Sequence, residues 1–296
     1  MAYASFDELL TAAAEHGSLG RAALACEASE SETPAVELRA RMGETLGVMR
    51  EAIETGLAGR ARSLSGLVGG DAARVLASQR GPLGGVFAQV VASALATGEV
   101  NAAMGRIVAA PTGGASGVLP AVLLTVGAEF GASEDQLIDA LFAAAGIGAV
   151  IATRATLSGA AGGCQAEIGS GSAMAAAAAV ELAGGTPAEA GHAAALALQG
   201  QMGLVCDPVG GLVEIPCVYR NATGASVALS AAEMALAGVE FPIPFDQVVD
   251  AMGFVGRSLP PSLRETALGG LAVTPAGREL AARACARHVE PSGAPS

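Results

Sequence analysis

The sequence predicts an all-α fold, a compact helical domain with Gly-rich loops, and three observations predict it. Helix starts are written out repeatedly as a capping residue with Glu or Gln three positions on: Ser5 with Glu8, Ser133 with Gln136, and Thr186 with Glu189, where Pro187 takes the first helical position. Apolar residues recur at helical spacing. Strand-like alternation is scarce, and the β-branched runs Arg106–Val108 and Leu212–Ile215 are short and bounded by Gly or Pro.

Taken in order, the segment Phe6-Asp-Glu-Leu-Leu10 opens a first helix behind Ser5. From Thr33-Pro34 onward, Leu38, Met42, Leu46, Met49, Ile53 and Leu57 repeat every three or four residues, and Glu37 and Arg41 stand one turn apart. This predicts one amphipathic helix ending near Gly56 or Gly59. Ser63-Leu-Ser-Gly-Leu-Val-Gly-Gly-Asp71 and Pro111-Thr-Gly-Gly-Ala-Ser-Gly117 read as loops, the second running into an apolar helix from Val118 to about Glu129. The longest apolar runs, 140–153 and 168–180, are shorter than the ~18 to 20 residues a membrane span needs, and predict buried core helices. Residues 1–290 are expected to form a single helical domain whose first hundred residues are more charged but not separable, and 291–296 a frayed tail.

Composition narrows the function. Hydrophobic residues make up 52% of the 296 positions, with 41 Gly and no Trp, so close helix-on-helix packing with little aromatic filler is expected. A net charge of -12 argues against nucleic-acid binding, which needs clustered cations to release phosphate counterions. All 16 basic residues are Arg; without any Lys, a pyridoxal phosphate Schiff base, a catalytic Lys and a Walker-type phosphate loop are unavailable. The N-terminus has no basic and apolar signal pattern, and a cytoplasmic location without membrane attachment is expected. Five cysteines in a reducing compartment are then metal ligands, reactive thiols or buried small hydrophobes.

Three of the five stand in irregular, Gly-rich or Pro-rich chain: Gly163-Cys164-Gln-Ala-Glu167, and Cys206-Asp-Pro-Val-Gly-Gly-Leu-Val-Glu-Ile-Pro-Cys217. Such segments leave helical geometry, so the backbone can curve and aim thiols at one point. Spacing alone leaves inert core cysteines open as a reading, since it matches neither a CxxC pair nor a ferredoxin run. Cys26 and Cys285 lie in charged helical segments and read as bystanders, and His16, His192 and His288 as capping or packing residues. Pro111–Gly117 exposes backbone N–H groups at a helix start, suited to a carboxylate, though its glycines would equally permit close helix contacts. The Asn221-Ala-Thr223 acceptor pattern carries no weight without a signal peptide.

Together the run Asn101-Ala-Ala-Met-Gly-Arg-Ile-Val-Ala-Ala-Pro-Thr-Gly-Gly-Ala-Ser-Gly-Val-Leu-Pro120, the Gly163–Glu167 turn, the Cys206–Cys217 loop and Arg220-Asn-Ala222 closely resemble the alpha chain of iron-sulfur-dependent L-serine dehydratase. The resemblance runs from Phe6 to Ala272. It implies an all-α catalytic domain with a [4Fe-4S] cluster held by Cys164, Cys206 and Cys217. It also implies an amino-acid substrate, a separate beta subunit, an oligomer, and a place in amino-acid catabolism and gluconeogenesis. In a single-chain variant of the family a C-terminal cysteine can plug the site; Cys285 is not expected to do so.

On that reading three thiolates leave one iron open as a Lewis acid toward the β-hydroxyl of serine while a base removes the Cα proton, and the aminoacrylate released hydrolyses to pyruvate and ammonia. Thr112, Gly113, Gly114 and Ser116 are candidates for gripping the substrate carboxylate, with Ser63 a further polar contact. Glu167 and Ser65 are the catalytic candidates; Tyr219, or a residue of the partner chain, could be the base instead. An L-cysteine desulfidase with similar cluster chemistry is the alternative enzyme, and a non-enzymatic metal-binding protein the alternative of another class.

Overall fold

The computed structural model describes residues 3–78 and 80–289. Among them it has thirteen α-helices and no strand, so the all-α expectation holds. The expected tail, 291–296, lies outside the described residues.

The first helix begins where its capping signal puts it. α1 (Phe6–His16) starts behind Ser5, whose side chain accepts from Glu8 N, and α2 (Leu19–Glu30) repeats the device with Ser18. α3 (Ala35–Leu57) is the predicted amphipathic helix and buries Leu38, Leu46, Met49 and Ile53. Next come α4 (Asp71–Ala77), α5 (Gly85–Ala102) and α6 (Val118–Glu129), the last with the predicted bounds. α7 (Glu134–Arg154) opens on a complete Ser133/Gln136 capping box. A single turn, α8 (Gly159–Gly162), leads to Cys164 and a π-helical segment, Gln165–Gly169, which continues into α9 (Ser170–Leu182). α10 (Pro187–Gly200) has the Thr186/Glu189 box, and α11 (Cys217–Leu236), α12 (Phe245–Ser258) and α13 (Pro275–Val289) complete the chain.

The apolar run read at 168–180 becomes the axis of the fold. α9 is buried along its length except for Glu181, and α6, α7, α10 and α11 pack around it. Its sequence, Ser-Gly-Ser-Ala-Met-Ala-Ala-Ala-Ala-Ala-Val-Glu-Leu, is narrow enough for four neighbours to approach at once. The same close packing joins α3 to α5, where a Cβ added to Gly56 would fall 2.5 Å from Ala96 Cα. The run at 140–153 lies in α7, whose bounds are wider than the run. Among the described residues α7 is the one helix long and apolar enough to cross a bilayer, but 67% of its apolar 18-residue stretch is buried inside the fold.

Candidate active site

Three helix starts meet at one end of the axis. The Gly-rich loop feeds α6, Cys164 precedes the π-helical segment and α9, and Cys217 is the first residue of α11. Helix N-termini carry unpaired N–H groups and the positive end of the macrodipole, so they concentrate positive potential in a chain of net charge -12. Asn221, one turn after Cys217, binds the group together: its Oδ1 accepts from Gly117 N at 2.8 Å, and its Nδ2 donates to Gly114 O at 2.7 Å and Cys217 O at 2.9 Å. Buried to 1% exposure in that role, it offers no accessible glycan acceptor.

The structure brings the three loop cysteines together, each buried. Cys164 is aimed by its neighbour Gln165, fully buried, which donates to Gly162 O and Met252 O and accepts from Gly203 N. Cys206 is pinned to 263–265: its N donates to Leu263 O at 2.9 Å, and its carbonyl accepts from Glu265 N at 2.8 Å. Cys164 and Cys206 act on one another: Cys206, helped by the Arg220 guanidinium and against burial, pulls Cys164 below the usual thiol value, while Cys164 and burial push Cys206 well above it. Burial, then the charge of Cys164, pushes Cys217 up to about 12. Cys26 is half-buried beside Tyr3, and Cys285 is exposed on α13.

Glu167 stands against this group. Its Oε1 accepts from the Thr112 hydroxyl at 2.7 Å, its Oε2 lies 3.8 Å from Cys206 Sγ, and burial raises its carboxyl above the usual carboxylate value. A side chain at position 159 would collide with Glu167 Oε2 and come within 3.2 Å of Cys206 Sγ, so Gly159 leaves the room the pair occupies.

Beside the cysteines opens a cavity of about 520 Å³, walled by Gly113, Gly114, Asn101, Glu167, Glu214 and Glu265 among others. Gly113 and Gly114 therefore stand where the sequence placed them, at an accessible surface. Thr112 touches the site through Glu167. Ser116 is fully buried behind the loop and does not line the cavity. Ser63 is also buried, its hydroxyl shared by Val68 N and Ser65. Ser65 donates to Glu214 Oε2 across 149 residues of sequence. Tyr219 donates to Asp71 at 3.1 Å and is not part of the cavity wall, and His192 Nδ1 accepts from Phe241 N at 3.2 Å, a packing role.

Glu214 is the residue that sequence reasoning passed over. It is 5% exposed, on the cavity wall, with Ser65 the one hydrogen-bond donor to its carboxylate among the described residues. The only signal was its position three residues before Cys217.

The donor set suits a thiolate-bound cluster. Three buried sulfurs gather near the Arg220 guanidinium, two of them, Cys164 and Cys217, at helix starts, and its charge favours the deprotonated, metal-binding form of Cys164. Among the described residues no three His, Cys, Asp or Glu side chains converge tightly enough for a single ion.

A family model described as serine dehydratase alpha chain matches residues 14–272, a span containing all three cysteines. The chain is 50% identical over 260 residues to the probable L-serine dehydratase, alpha chain, of Bacillus subtilis (strain 168), covering 87% of this chain and 86% of that one. It is 44% identical over 257 residues to the L-serine dehydratase, alpha chain, of Peptoniphilus asaccharolyticus, covering 86% and 88%. The L-serine dehydratase of Streptomyces coelicolor is 39% identical over 273 residues, which is 90% of this chain but 60% of that longer one.

Proposed function

The chain belongs to the serine dehydratase alpha chain family, and from that premise we propose that it deaminates L-serine to pyruvate and ammonia, by removing water across Cα and Cβ. The observation that carries the reading is the placement of the Gly113–Gly114 loop and three carboxylates, Glu167, Glu214 and Glu265, around one cavity, with Glu167 reaching from its wall to the buried Cys206 thiol.

Cys164, Cys206 and Cys217 would hold a [4Fe-4S] cluster. Bound by three thiolates, such a cluster supplies a Lewis-acidic iron corner that makes hydroxide a better leaving group. The protein does the rest. The N–H groups of the Gly113–Gly114 loop, at the start of α6, receive the substrate carboxylate. Thr112 holds Glu167 toward the thiols. Both Glu167 oxygens are engaged, one by Thr112 and one beside Cys206, whereas Glu214 has only Ser65. Glu214 is therefore the side chain we assign to take the Cα proton, with Ser65 orienting its carboxylate. The aminoacrylate released becomes an imine and hydrolyses in water without further help. A beta subunit is expected beside the chain, as the names of the alpha-chain relatives imply, and the work is expected to take place in the cytoplasm.

The test is anaerobic reconstitution of the chain, with its partner subunit, in iron and sulfide, followed by assay of pyruvate from L-serine and from L-cysteine. Serine-dependent pyruvate that disappears together with acid-labile sulfide on exposure to air is the expected result. Pyruvate from cysteine alone would make the enzyme a desulfidase, and zinc without labile sulfide would leave it a structural metal protein; either outcome overturns the proposal.

A further inference from the structure

Arg220 touches every segment that carries one of the three thiols. It lies in the first turn of α11, three residues after Cys217. Its Nη1 donates to Val205 O at 2.8 Å, and its Nη2 pairs with Asp207 Oδ1 at 2.8 Å, so it grips the chain on both sides of Cys206. The same guanidinium lies against the Cys164 sulfur. Asp207 is fixed from its far side as well, its Oδ2 accepting from Leu271 N at 2.7 Å. The Arg220 and Asp207 side chains are only 16% and 3% exposed, so this is a buried ion pair and not a solvated surface contact.

We propose that Arg220 is the positioning residue of the three-cysteine centre: its guanidinium fixes the three thiol segments relative to one another and balances the negative charge that three thiolates bring into a buried site. The inference rests on the cluster reading above and names the residue that makes the thiols a preformed site. Lys could supply the charge but not the planar fork that reaches Val205 O, Asp207 and Cys164 together. The carbonyl, carboxylate and sulfur contacts are structural constraints, and the charge is an electrostatic one, so two substitutions separate them.

Arg220→Lys and Arg220→Gln are compared with the wild-type chain for iron and labile sulfide per chain after anaerobic reconstitution, for the rate at which cluster absorbance bleaches in air, and for thermal unfolding of the metal-free chain. Arg220→Lys is expected to load iron but to bleach several-fold faster. Arg220→Gln is expected to load less than half the wild-type iron. Should Arg220→Gln alone destabilise the metal-free fold, Arg220→Gln/Asp207→Asn removes the stranded carboxylate. Low loading in that stable double variant supports the role; wild-type loading overturns it. Wild-type loading and bleaching in a folded Arg220→Gln chain likewise overturns the role while leaving the cluster reading intact. A wild-type chain that takes up no cluster sinks the cluster reading, and this inference with it.

Discussion

Glu167 stands three residues after Cys164 and Glu214 three before Cys217, so each carboxylate enters the cavity on a segment that also carries a thiol. Their surroundings differ. Glu167 is held between Thr112 and Cys206, and Glu214 is oriented by Ser65 alone. A well-placed general base contributes about 10²- to 10⁴-fold to rate. Glu214→Gln is therefore expected to lower serine-dependent pyruvate formation by that order while iron content stays at the wild-type value. Ser65→Ala is expected to give a smaller loss, since it frees the carboxylate without removing it. Glu167→Gln tests the other assignment: retained iron with appreciable turnover removes Glu167 from the role of base, and abolished turnover alongside an active Glu214→Gln enzyme would exchange the two. The candidates Gly113, Gly114 and Glu167 were legible from their motifs. Glu214 was not, because its partner Ser65 lies 149 residues away and nothing local marks which carboxylate is buried.

Among the elements, close approach between helices is what the abundance of Gly and Ala secures. At α3 and α5 the contact is tight enough that a Cβ on Gly56 would meet Ala96 backbone atoms. Gly47 lies in the same helix with nothing within 4 Å of an added Cβ. Gly56→Ala is expected to destabilise the chain by about 1 to 3 kcal/mol through overpacking. Gly47→Ala is expected to stabilise it by roughly 0.5 to 1 kcal/mol, since Ala loses less backbone entropy in a helix interior. Thermal or denaturant unfolding of the two variants checks both signs, and equal effects would mean that α3 and α5 are not in this register. The helix starts at Ser5, Ser133 and Thr186 could be read from sequence because a cap needs only the next three residues. The π-helical turn after Cys164 could not. It stands where Gln165 is held by Gly203 and Met252, two contacts made by other parts of the chain.

Across the whole molecule, the axis α9 and the helices around it form a continuous apolar core, while the thiols and the cavity lie at its end where α6, α9 and α11 begin. Of the thiols and the cavity-lining residues, only Cys164 and Cys206 belong to that core, and the rest of it is built from other side chains. Removing the cluster from a reconstituted chain with a chelator is thus expected to abolish visible absorbance and activity while far-UV circular dichroism keeps its helical signal. The melting temperature should fall by the binding energy lost with the metal and no more. Collapse of the helical signal would show instead that the metal folds the chain. By itself the sequence determined the all-α class, the starts of α1, α3, α6, α7 and α10, the family and the three thiols of interest, because capping, periodicity and motif are properties of neighbouring residues. Only the tertiary structure decided that Arg220 spans all three cysteine segments, that Glu214 meets Ser65, and that Ser116 and Tyr219 stay off the cavity wall. Those outcomes depend on which distant segments are packed against one another, and packing is settled by the burial of whole helices.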